Sequence, residues 1–480
     1  LIKLGVQNRL DSAGIDFKAV PGLSELFAED HQISNPFAHV STKNKQAAYY
    51  AKKFGLVVLN GHQRNDGRIE DFCDAQIFKS HPLFARDPTA LQLMLYYDEV
   101  EIANPLGSKS GKHKLGNFTN PYNPKHRSQL GAIQLLAVVT SPIIKKYGID
   151  SILEPFMEDL HKLEQDGGHQ FMIHNERKSF AGTIAFVSGD NLGSQLIGGF
   201  KERPGAHIKC RHCMGSSNAI KSMFREKDFN LRTKAGHVYQ CQQVEERPEL
   251  GKVYGVNRLS VLCNSRYFSV IDGLPGDVMH DLLEGVLQYE CKEMLKIFIS
   301  EQKYLTLDQL NERIKRFDYG YYNDKNKPSP ISLQTLNNSN NSLKQKAAQM
   351  WCLGKFLPLL IGSLVPEDDE HWQLFQILLE ITDLVFSPMI TERSVGVLEG
   401  LIEEHHQTFL CLYPGRSIIP KMHYLVHYPS HMYKFGPMVR TWCMRYEAKH
   451  HYFKRLASFM GNFTNVPYTL AARHQNQQCY

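Results

Sequence analysis

Two short stretches of this chain carry residue types that bind metal ions. KCRHC (209–213) holds Cys210 and Cys213, the only C-x-x-C in the sequence. KMHYLVHYPSH (421–431) sets His423, His427 and His431 four residues apart, on one helical stripe. A thiolate pair is half of a tetrahedral zinc site and needs two further ligands. His237 and Cys241 in HVYQC would complete it locally as a small ribbon, and His423 with His427 would complete it from far along the chain. No thioredoxin-like pattern surrounds the cysteines, so a redox role has no support. His431, before MYKFGP, is expected at the surface or facing a nucleic acid.

Three carboxylates stand in a different setting. Asp98 ends the strand-like ALQLMLYYD, Asp190 ends SFAGTIAFVSGD, and Glu447 sits in the basic MRYEAKHHYFKR. Aspartates at strand ends also serve as turn or cap residues, so each alone says little. Brought together, three hard-oxygen donors hold Mg²⁺ or Mn²⁺, as in-line attack on a phosphodiester needs. Asp98, on a central strand, would be shared between two ions. After GLPG, Asp277 reads as a helix N-cap with His280 in the first turn. A functional His280 would touch the scissile phosphate or order a carboxylate.

The elements that must position these groups follow from pattern. Residues 1–85 read as a turn-rich lead-in. Strands are predicted over 90–100 and 179–191, and QLGAIQLLAVVT (129–140), nearly apolar, reads as a buried central strand. DSILEPFMEDLHKLEQDGG (150–168) is an amphipathic helix capped by Asp150 or Ser151 and stopped at Gly167 and Gly168. A short helix is predicted over 192–200. From 205 to 435 helical patterns dominate, broken by the Asn/Ser/Lys-rich loop 322–346. Residues 436–480 close the chain with a helix whose apolar stripe is Trp442, Tyr446, Phe453 and Leu456.

At 480 residues the chain is long enough for two or three cores. With 42% apolar, 22% charged and 11% aromatic residues it is globular rather than disordered. The run FLPLLIGSLV (356–365) is too short for a membrane span, and no membrane partner is expected. The start, LIKLGVQNRL, has neither an initiator Met nor a signal-peptide layout, so the chain is expected to be a segment of a longer one. Ten scattered cysteines do not form a secreted disulfide framework, and an intracellular setting is expected. Net charge is only +6, but residues 102–149 carry seven Lys or Arg and no acid, and 437–480 carry six with Glu447 as the one acid. Such stretches are either solvated faces or a phosphate-binding surface around an acidic centre. No C₂H₂ finger or clear helix-turn-helix is present.

DAQIFKSHPLFARDPTALQLMLYYDEVEIANPLGSKSGKHKLGNF, LPGDVMHDLLEGVLQYE and FGPMVRTWCMRYEAKHHYFKRLA resemble the transposase-derived proteins of CACTA-type (En/Spm-like) elements. The matching blocks run from about residue 70 to 475, with 285–400 matching mainly in character. That group is distantly similar to the V(D)J recombinase core. The resemblance implies an α/β fold, a ribonuclease H-like core of the DDE type interrupted by a large, mainly helical zinc-containing insertion. It implies a first part of the core over 86–204, the insertion over 205–435, and the closing helix over 436–480. The family's three acids fall on Asp98, Asp190 and Glu447, and its Cys-or-Asp, two residues, His signature falls on Asp277 and His280. The relatives also carry a C-x-x-C after the second acid and a histidine pair before the third. Here Cys210 follows Asp190 by 20 residues and His427 precedes Glu447 by 20, so the resemblance favours the remote zinc ligands. The implied activity is cut-and-paste DNA transposition in the nucleus by at least a dimer, with two Mg²⁺ or Mn²⁺ per site and a structural zinc. Lys109, Lys112, Lys114, Arg445, Lys449, Lys454 and Arg455 would neutralise phosphates of terminal repeats and target DNA. Residues 1–85 would serve DNA binding or dimerisation. A non-catalytic DNA-binding scaffold, or a nuclease without strand transfer, are the rival readings.

Overall fold

A computed structural model describes residues 63–101, 114–120, 129–173, 176–202, 206–460 and 466–478. The protein mixes helix and sheet, with one four-stranded sheet at one end and a large helical block at the other. Strand β2 (Leu91–Glu101) is buried from Leu91 to Tyr97, as its strand-forming, largely apolar sequence requires. It runs parallel to β7 (Gly182–Gly189), which is buried throughout, and antiparallel to β3 (Lys114–Asn120); β3 in turn pairs antiparallel with β4 (Gln134–Thr140). The order is β4-β3-β2-β7.

Placement of β4 corrects the sequence expectation. It is an edge strand of this sheet, only half-buried, and residues 129–133 before it form a turn rather than more strand. Its apolar character has another cause. Leu135 and Val138 pack with Phe453, Val466 and Leu470 of the two last helices, while Ala137 and Val139 pack with the opposite core. Helices cover both faces of the edge, so it needs apolar residues on both.

The crossover from β4 to β7 passes through helices Ser141–Tyr147 and Asp150–Leu163. Asp150 does not cap the latter; its carboxylate holds Arg258 instead. Gly167 and Gly168, both at positive φ, turn the chain into a hairpin, β5 (His169–Ile173) and β6 (Glu176–Phe180), that periodicity did not reveal. Of the lead-in, 1–62 lie outside the described residues. The remainder is packed. A short strand β1 (Arg68–Ile69) pairs with β8 (Ile390–Thr391), and Phe72 meets Phe186 of β7, which meets Phe435.

The helical block has its own core, built by Ala347–Ile361, Glu370–Val385, Glu392–Leu412 and the long helix that begins with a π-helical stretch, Met279–Val286, and continues as Leu287–Lys296. The stretch Ala347–Leu364 is long and apolar enough to cross a membrane, which the ten-residue run 356–365 alone did not show. Met350, Leu353 and Leu357 of it are buried in this core. The stretch 322–346, expected as a loop, holds a 3-10 turn, Asp324–Asn326, and a short helix, Leu333–Asn337, and the buried Lys292 ties it down, its ammonium donating to Asn338 O, Asn338 Oδ1 and Asn340 O. The closing helix, Met444–Met460, returns to the sheet. There Tyr446 stacks on Tyr96 of β2, with ring centroids 4.4 Å apart and planes 9° from parallel.

Candidate metal centres

Cys210, Cys213, His423 and His427 are all buried, and one ligand atom from each lies within 4.8 Å of the others. Cys210 Sγ is 3.5 Å from His427 Nε2, and Cys213 Sγ is 3.3 Å from His423 Nε2. This group could hold a metal ion, and two thiolates with two imidazoles are compatible with zinc. Its surroundings fit that task. The backbone N–H groups of His212 and Gly215 point at Cys210 Sγ and Cys213 Sγ, at 3.3 and 3.4 Å. Glu226 Oε1 takes the other ring nitrogen of His427 at 2.7 Å, an outer partner that orients a ligating histidine. Burial opposes charge on Cys210, but Cys213 and the two imidazoles hold its thiol well below the usual value. The negative charge so formed raises Cys213.

The local completion is not assembled. His237 and Cys241 lie within 3.7 Å of each other on helix Lys234–Glu246 and do not join the cluster. His423 and His427 come from a helix that breaks after Leu425 and resumes at Tyr428. His431 corrects an expectation: it is 4% exposed, and its Nδ1 accepts from Gly276 N at 3.3 Å. An imidazole spent on a buried backbone amide is not a surface group.

Asp98 lies within β2, three residues short of its end at Glu101 and not at a strand end as expected, while Asp190 directly follows β7. Tyr97 is in register with Gly189, so the parallel strands deliver Asp98 and Asp190 side by side. Asp190 caps helix Asn191–Gly198, accepting from Gly193 N at 2.6 Å. A Cβ at Gly193 would lie 3.1 Å from both Asp190 Oδ1 and Tyr97 O, so glycine permits this tight turn against β2. Glu447 enters from the first turn of the closing helix, located by the Tyr96–Tyr446 stack, and Ser188 Oγ donates to Thr441 O at 2.6 Å just before it. Burial first, then the charge of Asp190, pushes Asp98 up to about 6. Burial first, then Asp98 and Asp277, pushes Glu447 up to about 7, against the pull of His280.

His280 Nε2 lies 3.3 Å from Glu447 Oε1, and its Nδ1 meets Asp277. Burial lowers its pKa, but Asp277, Glu447 and Asp190 outweigh that and raise it to about 10. The site therefore holds a crowd of carboxylates with one imidazolium among them. Asp98, Asp190 and Glu447 do not close to the 4.8 Å spacing of the cysteine–histidine group. Two ions about 3.5–4 Å apart would need outer ligands more widely spaced than one ion does. His450 Nδ1 is 3.5 Å from Asp98 Oδ2, but burial pushes its pKa down to about 4, so a neutral ring faces the carboxylate.

Of the basic residues, Arg445, Lys454 and Arg455 are exposed on the closing helix. Lys449 is a correction: it is 4% exposed and donates to Leu130 O at 3.0 Å, bracing the turn before β4. Lys109 and Lys112 lie outside the described residues, and of Lys114 only the backbone, at the start of β3, is described.

Several connecting residues escaped the sequence reading. Arg211, inside the C-x-x-C, donates to Asn191 Oδ1 at 2.8 Å and to Pro275 O at 2.9 Å. Asn191 donates to Asp281 at 2.7 Å, and Tyr428 donates to the same carboxylate at 2.9 Å. A polar chain thus runs from Cys210 to the residue beside Asp190, and from there to the residue after His427. The only sequence signal was adjacency to motif residues. A scan against protein-family models and a search of curated proteins find no match to this chain.

Proposed function

We propose that this protein is a cut-and-paste DNA transposase whose sheet is a ribonuclease H-like catalytic core and whose helical block is a zinc-stapled insertion. The observation that carries the reading is the placement of Asp98 in β2 beside Asp190 after β7, with Glu447, on a helix 257 residues further on than Asp190, close enough for Asp98 to raise its carboxyl. Burial first, and then neighbouring carboxylates, raises both Asp98 and Glu447, a setting that a cation would relieve, and oxygen donors suit Mg²⁺ or Mn²⁺. Such ions, when bound, activate the attacking water and stabilise the leaving oxygen. Asp98, coupled to both other acids, is the carboxylate to be shared between two ions. His280 brings a positive charge to the edge of the site, where a scissile phosphate would meet it. Arg445, Lys454 and Arg455 are the exposed cations of the closing helix for phosphate contact. Zinc on Cys210, Cys213, His423 and His427 would tie the segment after Asp190 to the segment before Glu447, holding the split centre in register. Duplex DNA, a homodimer that pairs two ends, and nuclear location belong to the same reading.

The test is cleavage and joining of a labelled transposon-end duplex in Mg²⁺ or Mn²⁺. Glu447→Gln keeps shape and removes charge, so DNA binding persists while cleavage falls on the order of 100-fold, about 3 kcal/mol of lost barrier lowering. Near-normal cleavage by this variant rejects the third acid. A wild-type chain that binds ends but never cuts them points to a scaffold, and cutting without joining of pre-nicked ends points to a nuclease.

A further inference from the structure

A second cluster of metal-binding residue types lies against the carboxylates, and the reading above leaves its thiol unused. Asp277, His280 and Cys443 each bring one ligand atom within 4.8 Å of the others. They come from two segments far apart in sequence, the entry to the π-helical stretch and the residue before the closing helix. Asp277 is 2% exposed and Cys443 is fully buried. The carboxylate is held by the backbone: Oδ1 accepts from Cys443 N at 2.9 Å and Oδ2 from His280 N at 3.3 Å. His280 Nδ1 is turned onto that same oxygen. Three ligand atoms are thus gathered in one place, and an ion would bind there by displacing the protons that His280 and Cys443 carry.

The donor set decides the class of ion. Sulfur, nitrogen and oxygen together select a borderline ion such as Zn²⁺ or Co²⁺ over Mg²⁺, whereas the neighbouring carboxylates offer oxygen only. Three protein ligands with a fourth position for water is the pattern of an exchangeable zinc site rather than a closed structural one. Beyond the ligand Asp277, the carboxylates of Glu447 and Asp98 lie close enough to act on Cys443, which favours a dication.

We propose that Asp277, His280 and Cys443 form a second, thiolate-containing site for a Zn²⁺-class ion, separate from the Cys210/Cys213/His423/His427 clip. If the function proposed above holds, an ion there occupies the His280 imidazole beside Glu447 and inhibits Mn²⁺-dependent cleavage.

The test begins with binding. The full chain, loaded with one zinc at the clip, is titrated with Co²⁺ and followed by absorption. One sulfur-bound Co²⁺ per chain, counted from the amplitude of a sulfur-to-cobalt charge-transfer band, is expected, whatever further Co²⁺ the oxygen-only carboxylates take up. Cys443→Ser and Cys443→Ala should both lose the band while retaining the clip zinc. Wild-type chain without the band, or a band that survives in both variants and so arises from the clip thiolates, overturns the site. Cleavage in Mn²⁺ is then measured with rising Zn²⁺. Inhibition relieved in Cys443→Ser is expected, and inhibition equal in both proteins overturns the regulatory role. If the band depends on Cys443 but no metal supports cleavage, the metal site stands and the transposase reading fails.

Discussion

Arg211→Met tests whether the cysteine–histidine clip and the carboxylates are mechanically one unit. Arg211 is 2% exposed, and its guanidinium satisfies Asn191 Oδ1 and Pro275 O. Methionine has similar length and no donor, so the buried Pro275 O is left unpaired at about 1–3 kcal/mol, and the half-buried Asn191 Oδ1 loses its donor at a smaller cost. Opposing this, Arg211 Nε has no partner, and removing a buried charge recovers part of its desolvation cost. A net destabilisation of about 1–3 kcal/mol follows. The change also frees Asn191, whose amide is then held by Asp281 alone, and Asn191 directly follows Asp190. The assay is urea unfolding of the full chain beside metal analysis and cleavage. Expected are lost stability, weakened cleavage and one zinc retained, because all four clip ligands remain. Arg211→Lys keeps a charge but not the two-pronged geometry, and should fall between. A stability change below about 0.5 kcal/mol, the range of an ordinary surface substitution, would refute the bridge. Loss of zinc would show instead that Arg211 supports the clip itself.

Two further predictions concern histidines. His423→Ala should lose the bound zinc and a large part of the fold's stability, since metal binding at such a site is also folding free energy, whereas His237→Ala should keep it; metal content of the purified variants decides. His81 caps helix Pro82–Arg86 through Nδ1, which accepts from Leu83 N and Phe84 N, and burial followed by the charge of Lys234 pushes its pKa down to about 4. Below about pH 6.5 the unfolded chain takes up a proton that the folded ring refuses until about pH 4, so this contribution is lost as pH falls through that window, at up to about 1.4 kcal/mol per unit. His81→Asn keeps a capping acceptor without titrating, and unfolding free energies from pH 7 to 5 should show a shallower slope; an identical slope would remove His81 from the account.

Local physics made part of this protein readable from its residues. Alternation and β-forming side chains marked β2 and β7, because strand pattern repeats every two residues, and put Asp190 just past the end of β7; Asp98, expected at a strand end, lies within β2, which runs on to Glu101. The closing helix, with Tyr446, Phe453 and Leu456 of its apolar stripe, followed from a period that spans one or two turns, although Trp442 lies before its first turn. The thiol and imidazole pairs announced half-sites by spacing alone. What the residues could not decide was which half-sites meet. His237 was nearer in sequence to Cys213 than His423, and only the packing of the helix pair around Val426 brings the remote imidazoles to the sulfurs. The edge position of β4 was hidden because helices on both sides impose the same apolar composition as strands on both sides. Lys449 and His431 read as surface groups by type, yet Leu130 O and Gly276 N, 319 and 155 residues away, satisfy them inside. The buried link through Arg211, Asn191, Asp281 and Tyr428 had no sequence signature, since a buried polar chain is defined by which lone pairs and protons tertiary packing sets face to face.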